Sequence, residues 1–243
     1  PAADAFRVLA ARVSFAMARQ SVKTLLVTSP EPRNGKTTTA VNLAVALAES
    51  GRNTVLVLAD LHKPAPPTLL NAKVQLLSQA VSGKTDAIAA LRPTAIPNLK
   101  VLGNPKATKD AAGIAGSDGL RHAITALERA ADIVVIDTTP ILGPSDAMAL
   151  ASFVDAVLLV ASTRGSTLSR IEECAIEIRS VDASILGVVL TGVTPRTFHP
   201  YMDRTSYYAA DPADGNGRDS DRSIGSRIAH RVAGVERNDR IDP

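Results

Sequence analysis

Cysteine is nearly absent from the 243-residue sequence, where Cys174 is the only one. One thiol cannot build a disulfide framework, and such a content is typical of proteins in a reducing cytoplasm. The sequence also has no run of 18 or more apolar residues, so we expect no membrane-spanning helix within it. The formal net charge is only +3, which gives little support to a nucleic-acid-binding role.

Aromatic residues make up 3% of the sequence, and its three tyrosines are unusually placed. Tyr201, Tyr207 and Tyr208 all lie beyond the last apolar run, in a polar segment. Tyrosine in a globular domain is normally a half-buried aromatic residue. A position outside the core predicts exposed hydroxyl groups, whereas the alternative is a loose aromatic anchor of the tail on the domain.

Apolar residues account for 45% of the sequence, enough for the core of one domain. Six short apolar runs, separated by helical patterns, are the predicted strands: 24–27, 54–58, 99–102, 133–136, 156–161 and 185–190. Such Val-, Ile- and Leu-rich runs alternating with helices indicate a parallel sheet covered on both faces. We therefore predict a doubly wound α/β fold, in which ligands bind at the carboxyl ends of the strands.

The chain divides into three predicted parts. Residues 1–20 form a helix that is a candidate oligomerisation element, residues 21–194 form the α/β domain, and residues 195–243 form a tail. The tail has little apolar content, so we expect it to be disordered. Prolines between positions 64 and 97 predict a lid or crossover of short helices. The start at Pro1, without Met, suggests a fragment, and a membrane anchor could lie upstream of it.

Residues 28–38 lie between the first apolar run and an alanine-rich segment, which predicts a strand, a phosphate-binding loop and a helix. Gly35 allows close backbone approach, Lys36 can reach the β- and γ-phosphates, and Thr37 offers a hydroxyl to Mg²⁺. The full G-x-x-x-x-G-K-[ST] pattern would require glycine at Pro30, so the flanking strand and helix carry this interpretation. The alternative is a turn with a solvated lysine. The loop residues predicted to bind nucleotide are Arg33, Asn34, Gly35, Lys36, Thr37 and Thr38.

Two acidic residues follow apolar runs. Asp60 comes two residues after the second run, and Asp137 comes directly after the fourth. A carboxylate at the end of a buried strand, beside a phosphate site, orients Mg²⁺ directly or through water. We therefore predict that Thr37, Asp60 and Asp137 hold the metal ion. The alternative for Asp137 is capping of the helix that begins near Ser145. Asp146 is interpreted as a first-turn acid favoured by the helix dipole.

Three segments, taken with the phosphate-binding loop, resemble one family: residues 4–9, 54–64 and 137–140. The resemblance is to the bacterial tyrosine kinases of capsule and exopolysaccharide export, called BY-kinases. These are relatives of the MinD/ParA ATPases that use P-loop machinery. The resemblance covers about residues 4–194.

The resemblance implies cofactors, catalytic residues and partners. ATP or ADP with Mg²⁺ would be the cofactors, and Lys36, Asp60 and Asp137 would be catalytic. The three tail tyrosines would be phosphorylated between neighbours in a ring. The partner would be a membrane-embedded polysaccharide copolymerase, either upstream in the same chain or a separate protein, with no nucleic acid involved. The domain would then lie in the cytoplasm at the inner face of the plasma membrane.

Several positions depart from the family pattern. The motif Asp-x-Asp-x-Arg, called Walker A′, here has Leu58, Asp60 and His62. A leucine cannot accept a proton or bind a metal's water, and loss of a general base typically lowers the rate about 10²- to 10⁴-fold. Arg33 and Asn34 replace small residues, which predicts a tightened or deformed loop. We expect nucleotide binding to survive these changes and turnover to suffer.

The predicted subunit interface and base contact also depart from the pattern. The ring motif Glu-x-x-Arg-x-x-Arg here has Asp4, Arg7 and Ala10, so Asp4 and Arg7 are the predicted oligomerisation residues and the ring should be weak. Thr191 stands where relatives often place an adenine-contacting asparagine. Its side chain has one hydroxyl and lacks the paired carbonyl and NH₂ group of an asparagine amide.

Three functional hypotheses follow. The first is a tyrosine autokinase module that regulates polysaccharide polymerisation and export. The second is a catalytically impaired nucleotide-binding module that acts through assembly with a membrane copolymerase. The third is a MinD/ParA-like positioning ATPase, which would call for a terminal amphipathic helix or a basic face. A metal-cluster carrier would need paired cysteines and is excluded.

Overall fold

A computed structural model describes residues 2–65 and 76–193 of the chain. Its helices are α1 (Ala2–Gln20), α2 (Lys36–Glu49), α3 (Leu77–Val81), α4 (Ala111–Ala115), α5 (Asp118–Ala130), α6 (Asp146–Ala151) and α7 (Leu168–Ser180). Its strands are β1 (Thr24–Thr28), β2 (Thr54–Leu58), β3 (Arg92–Pro93), β4 (Leu99–Gly103), β5 (Ile133–Asp137), β6 (Ala156–Ser162) and β7 (Ile185–Thr191). The predicted acceptors Tyr201, Tyr207 and Tyr208 lie outside the described residues.

The strands form one sheet in the order β3-β4-β2-β5-β1-β6-β7. Every neighbouring pair is parallel except β3 and β4. The strand that precedes the phosphate-binding loop, β1, is hydrogen-bonded on one side to β5 and on the other to β6. The predicted doubly wound, mostly parallel α/β fold is confirmed.

The sequence analysis missed one strand. Arg92 and Pro93 pair antiparallel with Val101 and Lys100 at the edge of the sheet. A two-residue strand is too short to show an apolar run in the sequence. Proline, which has no backbone N–H, is tolerated there because a strand at the edge of a sheet does not need that donor. The prolines of this region had predicted only a lid or crossover of short helices.

Both faces of the sheet's inner strands are buried, as β2 illustrates. Val55 and Val57 belong to one core cluster, whereas Leu56 and Leu58 belong to the other. Successive side chains of a strand point to opposite faces, so this division is what a strand between two helical layers requires. The first cluster packs under α5, α6 and α7, and the second under α1 and α2.

The carboxyl ends of the parallel strands meet at one edge of the sheet, and the segments that follow β1, β2 and β5 carry the predicted site residues. None of the helices within residues 2–65 and 76–193 combines the length and the hydropathy of a membrane-spanning segment.

Candidate nucleotide-binding site

The phosphate-binding loop connects β1 to α2 and is fixed at its start by the segment that follows β5. The Thr28 hydroxyl donates a hydrogen bond to the Thr139 carbonyl at 2.8 Å. The Ile141 N–H donates to the Ser29 carbonyl at 2.9 Å. The loop and the segment after β5 therefore leave the sheet as one hydrogen-bonded unit.

The end of the loop is fixed from the other side of β1. The Asn34 side-chain amide donates to the Ser166 hydroxyl at 2.7 Å, in the segment between β6 and α7. The Thr191 hydroxyl, at the end of β7, donates to the Asn34 carbonyl at 2.8 Å. At the beginning of the loop, Glu31 pairs with Arg170 of α7 at 3.1 Å. These three contacts attach the loop to β7, to α7 and to the segment between β6 and α7.

Thr191 thus lies against the phosphate-binding loop, and its hydroxyl proton is already used there. A Cβ placed on Gly35 would lie 3.3 Å from the Thr191 methyl carbon. Gly35 also has φ of +91°, so the backbone favours glycine at this position and the close Thr191 methyl adds to that preference. The contact of Thr191 with a base stays a prediction.

Arg33 has φ of +67°, in the left-handed region that side chains with a Cβ rarely adopt. Glycine is the residue that adopts such a backbone without this steric cost. The exposed side chain of Arg33 leaves the loop, so the strain lies in the backbone and not in packing.

A lysine–aspartate pair lies at the centre of the site. Lys36, the first residue of α2, places its Nζ 3.3 Å from Oδ2 of Asp60, and both side chains are largely buried. The other Asp60 oxygen, Oδ1, accepts a hydrogen bond from the Lys63 N–H at 2.8 Å. The structure therefore brings together two of the three predicted catalytic residues.

Asp137, the last residue of β5, is 1% exposed; neither of its oxygens makes a hydrogen bond of standard geometry within the described ranges, and the Thr37 hydroxyl lies nearby. Burial raises the pKa of this carboxyl to about 7, and the Asp60 charge adds to the increase, whereas the Lys36 charge and the Thr37 hydroxyl oppose it. A buried carboxyl with two unused oxygens beside a hydroxyl is suited to a hard cation. Asp137 and Thr37 therefore fit Mg²⁺, with Asp60 close by.

No cluster of three or more His, Cys, Asp or Glu side chains arranged for a metal ion occurs in residues 2–65 and 76–193. This is compatible with Mg²⁺, because that ion usually takes only one or two carboxylates and keeps several waters or phosphate oxygens.

Leu58 lies directly opposite Asp137 in the β2–β5 register, and both residues are buried. Leu56, Leu58 and Val135 share one core cluster, so the alternation of β5 puts the Asp137 side chain on the same face as Leu58. The missing acid of the Walker A′ motif would therefore have stood next to Asp137.

Two site residues had escaped the sequence analysis or been given a smaller role. Asp146 is fully buried and lies 2.8 Å from His62 Nε2. First-turn acids of helices are commonly exposed, so its position on α6 gave no hint of burial. Ser166 had no signal at all, because its contact with Asn34 joins residues more than a hundred positions apart.

The predicted oligomerisation residues contact each other within one chain. Arg7 lies 3.2 Å from Asp4 and 3.8 Å from Glu49 at the end of α2. Both side chains of the first pair are more than half exposed. Their use between subunits stays a prediction.

Comparison with known proteins agrees with this geometry. Residues 9–212 match the family model described as the CobQ/CobB/MinD/ParA nucleotide binding domain. The tyrosine-protein kinase YwqD of Bacillus subtilis is 28% identical over 191 residues, which cover 78% of this chain and 80% of that protein. The tyrosine-protein kinase wzc of Salmonella typhimurium is 27% identical over 80% of this chain. The aligned part is only 27% of wzc.

Among solved structures, the kinase domain of the Escherichia coli tyrosine kinase ETK superposes with a TM-score of 0.75. The match covers 89% of this chain and 80% of that one at 24% identity, and it supports the fold alone. The resemblance to bacterial tyrosine kinases predicted from the motifs is confirmed by these relatives.

Proposed function

Because the chain belongs to the CobQ/CobB/MinD/ParA nucleotide-binding domain family, we propose that it binds ATP and ADP with Mg²⁺ and acts as a protein-tyrosine kinase of the bacterial P-loop type. The observation that carries the proposal is the buried Asp137 carboxyl, whose oxygens lack partners among the described residues, at the end of the strand beside the phosphate-binding loop. The names of the relatives supply the reaction class.

In this proposal each residue has a separate task. The backbone before α2 and the Lys36 ammonium bind the β- and γ-phosphates, for which Lys36 must leave its contact with Asp60. Thr37 and Asp137 hold the metal ion, which supplies charge neutralisation of the phosphates. Asp60 would lie beside the metal ion, where its carboxylate could accept a proton from an incoming hydroxyl. The hydroxyls of Tyr201, Tyr207 and Tyr208 are the proposed acceptors.

Calorimetry with Mg-ADP tests the first step. We expect binding that Lys36→Ala weakens, since it removes the only phosphate-directed ammonium on α2. The control is Lys100→Ala, on the exposed part of β4, which should bind as the unaltered protein does. Failure of the unaltered protein to bind at millimolar nucleotide would reject the proposal.

An anti-phosphotyrosine blot of purified protein with Mg-ATP tests the second step. We expect a signal that Lys36→Met abolishes. Mixing Lys36→Met, which keeps its tyrosines, with a protein lacking all three tyrosines distinguishes transfer between chains from transfer within one chain. Signal on the Lys36→Met protein supports transfer between chains. No signal in this mixture, together with labelling of the unaltered protein alone that does not depend on dilution, supports transfer within one chain.

A second candidate function is favoured by one observation, the leucine that faces Asp137 across β2 and β5. Without an acid at Leu58, the domain would bind nucleotide and signal through assembly instead of catalysis. Nucleotide binding without any tyrosine phosphorylation would favour this candidate.

The biological setting also belongs to the proposal. The chain spans four fifths of YwqD but about a quarter of wzc. A domain of this kind therefore occurs both in a protein of similar length and inside a much longer one. We propose that it works at the inner face of the plasma membrane with a polysaccharide copolymerase, in the same chain or in another protein. Weak self-association through Asp4 and Arg7 would bring the tails to neighbouring sites.

A further inference from the structure

Asp146 is a buried carboxylate to which the proposed chemistry gives no task. It is the first residue of α6, and its side chain is 0% exposed. A carboxylate withdrawn from water without hydrogen-bond donors is costly. Neither of its oxygens accepts a hydrogen bond of standard geometry from the described residues, and His62 Nε2 lies 2.8 Å from Oδ2. A buried carboxyl group that lowers stability in this way is expected to have a role in the site.

His62 lies in the turn that carries Asp60. That turn is closed by the Lys63 N–H, which donates to Asp60 Oδ1 at 2.8 Å. His62 is therefore held between the two residues that make this hydrogen bond. Any displacement of the His62 backbone would move the Asp60 carboxylate with it. The imidazole is the part of this turn that reaches α6.

The other end of the contact is attached to the sheet. The segment that leads from β5 to α6 is bound to the end of β1 by the Thr28 hydroxyl on the Thr139 carbonyl and by the Ile141 N–H on the Ser29 carbonyl. Asp146 follows this segment directly. It thus offers His62 a point of attachment fixed to the same strands that carry the phosphate-binding loop and Asp137.

We propose that Asp146 is a positioning residue, which acts through His62 to hold the Asp60 carboxylate at the metal's edge. The pair then determines how much Mg²⁺ strengthens nucleotide binding. The inference rests on the proposed binding of nucleotide with Mg²⁺. It also explains how the turn keeps its place with a histidine where the related kinases have arginine, since either side chain can donate to Asp146.

The test measures the dissociation constant of ADP by calorimetry twice, in EDTA and with Mg²⁺. The quantity compared is the constant in EDTA divided by the constant with Mg²⁺, which is large when Mg²⁺ strengthens binding. We expect His62→Ala and Asp146→Ala each to lower this ratio about 10-fold, the smaller effect typical of residues that orient a metal ligand. Affinity in EDTA should change little. His62→Arg should restore the ratio, and the double variant should be no worse than either single one, because both act through one contact.

Two controls separate positioning from loss of stability. Asp155→Asn removes a carboxylate that accepts bonds from the Lys23 N–H and from the Thr24 N–H and hydroxyl, at the opposite edge of the sheet. It should lower the melting temperature without changing the ratio. Because the His62 side chain is 42% exposed, His62→Ala should fold, and it carries the test if Asp146→Ala does not.

The outcomes are distinct. If both alanine variants keep the ratio of the unaltered protein, or lower it no more than Asp155→Asn does, the positioning role is rejected and the proposed function stands. If the unaltered protein shows no Mg²⁺-dependent ADP binding, the proposed function fails and this inference fails with it.

Discussion

Replacing Asp137 by asparagine should remove a specific pH dependence from the stability of the ligand-free domain. Burial raises the pKa of this carboxyl to about 7 from an ordinary 3.8. The folded state therefore keeps a proton that the unfolded state loses between these values, and stability falls as pH rises through that window. The difference of roughly three units, 7 minus 3.8, corresponds to roughly 4 kcal/mol at about 1.4 kcal/mol per unit.

Urea unfolding in EDTA at about pH 5 and about pH 8 measures the effect. Between about pH 5 and the carboxyl's pKa, about two pH units, the free energy of unfolding of the unaltered protein should fall by about 3 kcal/mol. Asp137→Asn should not show this fall. Asp132→Asn is the matched control, because it removes an exposed carboxylate just before the same strand. Equal pH dependence of the unaltered protein and Asp137→Asn would refute the reasoning.

Three further predictions concern other buried or strained positions. Leu58→Asp places a carboxylate opposite Asp137 and should raise tail phosphorylation about tenfold, the low end of the effect of a positioned acid or base. An unchanged anti-phosphotyrosine blot would show that the position does not limit the rate. Arg33→Gly should raise the free energy of unfolding by about 0.5 to 1 kcal/mol over Arg33→Ala, which keeps the strained φ; a less stable glycine variant would contradict this. Burial raises the pKa of the Cys174 thiol to about 12, so a thiol reagent should label it only during unfolding, and rapid labelling of the native protein would disprove its inertness.

The strands and their common edge could be predicted because their signals are local. Four or more consecutive apolar residues define β2 and β5, and the acids Asp60 and Asp137 follow them within two positions. Parallel pairing then brings both acids to the phosphate-binding loop by geometry alone.

The contacts that support the site could not be predicted because they join distant segments. Asn34 meets Ser166, and His62 meets Asp146, through packing that no spacing in the sequence reveals. The edge strand at Arg92 was missed for the opposite reason, because two residues are too few to show a period. The resemblance to a family pointed to His62 as a substitution but not to the residue that it contacts.

The position of β1 between β5 and β6 affects how the domain is synthesised and folds. Thr24 lies opposite Val134, 110 positions later, and Leu25 lies opposite Ala156. A chain emerging from the ribosome therefore exposes an apolar first strand until β5 and then β6 have been synthesised. Pairings this remote also slow folding, since the entropy of closing long loops is lost before the contacts form. Interruption of synthesis before β6 should leave a fragment with the complete phosphate-loop sequence, no nucleotide affinity and a tendency to aggregate or to bind chaperones.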